Sequence, residues 1–256
     1  MHELADRPRV REPHRPTMNR EYHRWFSPSL GRDMELLLFG HAGAKVVAFP
    51  TSMGRFFDWE GRGLVGALGG QVERGDLQLC CVDSIDGESW YAKNRSVADR
   101  AKRHDQYDRY VLDEVLPFLD GCNPNPFVIT AGASFGGYHA VNFGLRHPER
   151  VGRVLSMSGL CDITRFTDGY YDQAVYFNNP CDFIANEHDP ARLEKLRGVD
   201  VILAVGRDDA LCESNRRLSH LLWGKGVWHA LRVWDGWAHD WPFWQQMLTL
   251  YISGHD

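Results

Sequence analysis

"PFVITAGASFGGYHAVNF", residues 126–143, decides how the rest of the chain is read. It opens on the apolar run Pro126–Thr130, passes through small residues around Ser134, and ends in a run compatible with a helix. A strand that turns sharply into a helix through Gly132-Ala-Ser134-Phe-Gly136 is the setting of a nucleophile elbow, in which a strained turn lifts the serine Oγ clear of the sheet. Gly132, Gly136 and Gly137 would let helix and strand approach without a side-chain clash. Without that chemistry, the same residues make a plain glycine turn. The G-x-S-x-G pattern alone does not separate the two readings, so the decision falls to partners elsewhere in the chain.

Working outward, short apolar runs recur: "KVVAFP", "LQLCCVD", "PFVITAG", "RVLSMSG", "VDVILAVG" and "HALRVWDG". Each can be buried on both faces, and segments of helical length separate them, which is the pattern of a mostly parallel sheet wrapped by helices. Ahead of them, "EYHRWFS" and "MELLLFG", joined by "PSLGRD", read as an antiparallel hairpin. "SVADRAKRHDQYDRYVLDEVLPFL" places Tyr107, Val111, Leu112, Val115 and Leu116 on one helical face. "CESNRRLSHLLWGKG" repeats the pattern and ends in Gly224 and Gly226, where a helix cap would sit. Residues 1–20 read as a flexible, solvated arm and residues 21–256 as one α/β domain. Within it, residues 160–190 form a long irregular stretch rich in Asp, Asn, Phe and Tyr, expected to be a lid or substrate wall.

The bulk properties narrow the function. A net charge of −5 argues against holding nucleic acid by phosphate neutralisation. "MHELADRPRVREPHRPTMNR" lacks the apolar stretch of a secretory signal, and no run reaches membrane-spanning length, so a cytoplasmic protein without a membrane partner is expected. The six cysteines are scattered, with no C-x-x-C pair or zinc-like spacing, and read as reduced, mostly buried thiols. No metal or cofactor is expected.

A serine hydroxyl needs a base and a group that orients the base. On an elbow fold these follow in the order Ser, acid, His, each after a strand. "VILAVGRDDAL" offers Asp208 and Asp209, and "LRVWDGWAHDW" offers His239. Adjacent side chains diverge, so only one aspartate can face the histidine, and Asp209 is preferred. His139 sits on the helix behind the serine, His147 at its end, His220 within a helix and His229 at a strand start; His41 and His104 precede the serine.

With these residues in place the chain resembles the "Putative esterase" family of α/β-hydrolases, which includes esterase D (S-formylglutathione hydrolase), enterochelin esterases and antigen 85 acyltransferases. The resemblance covers roughly residues 22–253 and rests on "GASFGGYHAVNFGLRHPE", "SIDGESWYAKN", "DEVLPFL", "GRDDALCESNRRLSHLL" and "GWAHDWPFW". It implies the α/β-hydrolase fold and an acid three residues after the strand-end Gly206, which again indicates Asp209. The chain departs from the family after the third strand, reading "VVAFPTSMGRFFDWE" where many members carry His-Gly or Asp-Gly. An oxyanion hole needs an amide from the residue after the serine, Phe135, and one from this loop. Proline cannot donate, which excludes Pro50. Position indicates Ser52, with Thr51 and Met53 as open alternatives.

The expected chemistry is hydrolysis of a small-molecule or carbohydrate ester through an acyl-enzyme, with Ser134 as nucleophile, His239 as base and Asp209 as orienting acid. Trp90, Tyr91, Phe166, Tyr170 and Trp241 are expected to line an aromatic cleft, and Trp244 to belong to the core. Two alternatives stand beside it: an acyltransferase using the same triad with an alcohol or sugar acceptor, and a catalytically silent binding module. Homo-oligomerisation is left open.

Overall fold

The computed structural model describes residues 18–254, so most of the N-terminal arm, residues 1–17, lies outside the described residues. Eight strands form one sheet: β1 (Arg20–Ser27), β2 (Arg32–Phe39), β3 (Ala44–Phe49), β4 (Leu77–Val82), β5 (Val128–Ala133), β6 (Arg153–Met157), β7 (Asp200–Gly206) and β8 (His229–Trp234). Their spatial order is β1-β2-β4-β3-β5-β6-β7-β8. β2 pairs antiparallel with both β1 and β4, and every later pair is parallel. The opening hairpin and all six apolar runs therefore fall on strands. Gly31, at φ +65°, closes the hairpin by donating its N–H to Ser27 O at 2.8 Å.

Continuous apolar runs are needed because the sheet separates two cores. Val47 and Phe49 belong to one apolar cluster, Val46 and Ala48 to the other. Leu36 and Leu38 alternate with Leu37 and Phe39 in the same way, as do Val201 and Leu203 with Ile202 and Ala204. Successive strand residues point to opposite faces, so a strand covered on both sides has no position for a polar residue to spend cheaply. Fully burying one such side chain contributes about 1.5–3 kcal/mol.

The long helical segment predicted over residues 96–119 is observed as Val97–Tyr110, a π turn at Val111–Val115, and Leu116–Cys122. Ser96 Oγ caps its start by accepting the Asp99 N–H. The wide turn precedes Pro117, which has no N–H to continue the regular ladder. Tyr107, Val111, Val115 and Leu116 are buried, and Leu112 packs partly buried on the same core. The predicted helix after β7 runs Cys212–Gly224, and Gly226 follows at φ +68°.

Residues 160–190 are less irregular than expected. They hold a 3-10 turn at Ile163–Phe166 and helices Gln173–Phe177 and Pro180–Ala185. The aspartates that suggested a loop are helix caps: Asp162 accepts the Thr164 N–H and Asp172 the Val175 N–H. Among the described residues, no helix is long and apolar enough to cross a membrane.

Candidate active site

Ser134 joins β5 to the helix Phe135–Arg146 with φ 56° and ψ −118°, a conformation a non-glycine residue holds at a cost of about 1–3 kcal/mol. Its N–H donates to Met157 O at 2.9 Å, which ties the turn to β6. The flanking glycines are sterically required. A Cβ on Gly132 would stand 2.1 Å from Gly136 O, and one on Gly136 would stand 2.5 Å from the carbonyl oxygens of Phe49 and Pro50. The start of the helix is thereby pressed against the ends of β5 and β3.

His239, in the loop after β8, reaches this turn. Its Nε2 is 3.1 Å from Ser134 Oγ and its Nδ1 is 2.7 Å from Asp209 Oδ2. A carboxylate only accepts, so Nδ1 carries the hydrogen and Nε2 is left to accept from the serine hydroxyl. Asp209 is buried, and its Oδ1 accepts the Leu211 N–H at 2.9 Å. Asp208 is exposed and turns away, with its N–H on Gly236 O. The imidazole stacks on Trp237, centroids 5.5 Å apart, and meets the edge of Trp244 at 5.2 Å. Ala238, at φ 41°, is held by Ser158 Oγ, which donates to its carbonyl at 3.0 Å and accepts Trp244 Nε1–H at 3.2 Å. Trp244 is buried, as expected.

The competing histidines are engaged elsewhere or exposed. His139 is buried with Nε2 on Asp86 Oδ1 at 2.9 Å, and His104 stacks on it at 5.2 Å. His147 contacts Asp108, His229 contacts Ser219 Oγ and Val227 O, and His41 and His220 are exposed.

In the loop after β3, two of the three candidate amides are committed. Thr51 N–H donates to Asp58 Oδ2 and Met53 N–H to Asp86 Oδ2, both at 2.9 Å. Ser52 lies between them, and its N–H has no partner among the described residues. Its hydroxyl accepts from Tyr91 OH at 2.8 Å. Phe135, first residue of its helix, has an N–H that the helix itself leaves unbonded.

These groups line one cavity of about 330 Å³, walled by Tyr91, Leu160, Phe166, Leu211 and Trp237. Among the described residues, Arg165 is the one permanent cation on its surface. Burial raises the Tyr91 phenol above its usual range, while the Ser52 contact and the Arg165 charge pull the other way. Tyr91 and Phe166 thus stand where the sequence reading put them, but Trp90, Tyr170 and Trp241 do not. Trp90 is fully buried and donates to Tyr138 OH at 3.1 Å, because the turn it shares with Tyr91 sends neighbouring side chains to opposite sides. Tyr170 is exposed on Asp172. Trp241 begins the last helix, packed on Trp244 with the Arg62 guanidinium 5.3 Å above its ring. Trp237, two residues before His239, takes its place; the usable signal was an aromatic within the loop rather than in the following helix. Leu160, Leu211 and Arg165 gave no signal.

An acetyl esterase of Caldicellulosiruptor saccharolyticus is 23% identical over 177 residues, 61% of this chain; the chain spans 66% of that relative's length, just under two thirds. Among solved structures, a ferulic acid esterase superposes with a TM-score of 0.73 at 20% identity, covering 91% of this chain and 95% of that chain. An S-formylglutathione hydrolase from Agrobacterium tumefaciens superposes with a TM-score of 0.71 at 14% identity, covering 93% and 96%. At these identities the structures establish the fold, an α/β-hydrolase fold. The family model described as "Putative esterase" matches residues 79–251, a span containing Ser134, Asp209 and His239, so the chain belongs to that family.

Proposed function

We propose that the protein is a serine carboxylic-ester hydrolase. The observation that supports this most is the unbroken line of hydrogen bonds from Ser134 Oγ through His239 to buried Asp209. In this reading Ser134 Oγ attacks the ester carbonyl and His239 Nε2 takes the hydroxyl proton. The imidazolium then gives that proton to the leaving alcohol as the C–O bond breaks. Water, deprotonated by the same nitrogen, frees the acyl group and restores the serine. Asp209 holds the ring tautomer and stabilises its positive charge. The amides of Phe135 and Ser52 receive the oxyanion, and engagement of the Thr51 and Met53 amides by carboxylates favours Ser52 as the second donor.

The aromatic and aliphatic walls fit a small apolar or aryl portion of a small-molecule or carbohydrate ester. The same reading takes residues 21–256 as one cytoplasmic domain, with Leu160, Arg165 and Phe166 as the part of the 160–190 stretch that walls the substrate. Wild-type protein should hydrolyse p-nitrophenyl acetate, and Ser134→Ala should abolish turnover with little change in thermal unfolding. Turnover retained by the variant would remove Ser134 from the mechanism.

A further inference from the structure

Beside the cavity at Ser134 lies a larger one of about 560 Å³, and the two share Tyr91, Arg165 and Phe166. The rest of its lining is charged: Lys93, Arg100 and Asp168. Arg100 is buried and donates to Trp90 O at 3.2 Å, while its Nε, also buried, has no partner. Its ion pair with Asp168 is 3.3 Å long, and that carboxylate is 80% exposed. So wet a pair contributes little. Lys93 and Arg165 are exposed and form no ion pair among the described residues; the Arg165 guanidinium rests 5.7 Å over the Phe166 ring. Three cations thus face one loosely held carboxylate, in a basin continuous with the wall of the Ser134 cavity.

A neutral ester would leave this charge unused, whereas a carboxylate on the substrate would meet the cations that line the basin. We propose that the second cavity is an anion subsite, and that the preferred substrates are esters whose far end, beyond Tyr91 and Phe166, carries a carboxylate. The proposal rests on the hydrolase reading of Ser134. Because Lys93 and Arg165 lie at the water's edge, their attraction acts on encounter and KM more than on kcat, and salt weakens it.

The test compares matched esters in two arms. On the acyl side, the p-nitrophenyl monoester of glutaric acid is set against p-nitrophenyl valerate; on the alcohol side, 4-acetoxybenzoate against 4-acetoxybenzamide. In one arm the charged ester should have a kcat/KM about tenfold higher at low salt, about 1.4 kcal/mol, through KM. That ratio should shrink with added salt, fall in Lys93→Gln, and drop below one in Arg165→Glu. If neutral esters are hydrolysed and neither charged ester exceeds its partner, the anion subsite is wrong and the hydrolase reading stands. If no ester is hydrolysed, the hydrolase reading fails and equilibrium binding to Ser134→Ala decides the subsite. Tighter binding of 4-acetoxybenzoate than of the benzamide, lost in an added Arg165→Glu, supports it, and equal binding overturns it.

Discussion

Asp208 and Asp209 are neighbours with opposite situations, one in solvent and the other buried between the Leu211 amide and the His239 ring. An asparagine at 209 offers an amide donor where the ring needs an acceptor, which favours the wrong imidazole tautomer. Asp209→Asn should therefore lower kcat on the order of 10⁴-fold, while Asp208→Asn stays close to wild type. Steady-state kinetics of the two variants checks this, and the reverse ranking would move the acid by one residue. Ser134, Asp209 and His239 were legible in the sequence because each follows the end of an apolar run, in the order an elbow fold imposes. Trp90 against Tyr91 was not. Which of two adjacent aromatics faces a cavity depends on the backbone of one short turn, and no periodicity records that.

The loop after β3 shows what elements add to residues. Its amides are sorted by carboxylates 7 and 33 positions away, Asp58 and Asp86, which no local pattern links to it. Asp86 is buried, with one oxygen on Met53 N–H and the other on His139, itself on the helix that begins after Ser134. The elbow helix is thereby tied to the loop that holds Ser52, the proposed second oxyanion donor. Asparagine retains one acceptor oxygen of the two, so Asp86→Asn should loosen the loop and lower kcat by about 10–10²-fold, less than the 10²–10³ that follows outright loss of a donor. Since Asp86 is buried and does not line the Ser134 cavity, KM should move little. A rise in KM at unchanged kcat would contradict the positioning role. The same lesson applies to the stretch 160–190, where aspartates that read as loop residues are caps of short helices.

Across the whole molecule, the sheet was the most legible feature, because strands covered on both faces are predominantly apolar; the few buried polar residues on them, such as Lys45 and Gln78, are hydrogen-bonded. The polar groups buried between sheet and helices were less so, and they set the response to pH. Burial holds the His104 ring well below the usual histidine range, with the nearby His139 and Arg146 acting in the same direction, and burial lowers His229 as well. The unfolded chain binds protons at these rings below a pH of about 6.5, where the folded protein does not. Their contribution to stability is therefore complete above that pH and is lost as pH falls. Thermal unfolding should show a lower Tm at pH 5.5 than at pH 7.5, with a smaller difference in His104→Phe. An unchanged difference would mean that His104 is not among the groups responsible.

The proposed mechanism turns on activation of Ser134 by His239. The most direct measurement is mass mapping of the protein after reaction with a fluorophosphonate, which modifies a serine only where a base and an oxyanion site activate it. A single adduct is expected on the peptide bearing Ser134, absent in Ser134→Ala and strongly slowed in His239→Ala. No adduct, or an adduct on another residue that persists in Ser134→Ala, would contradict it.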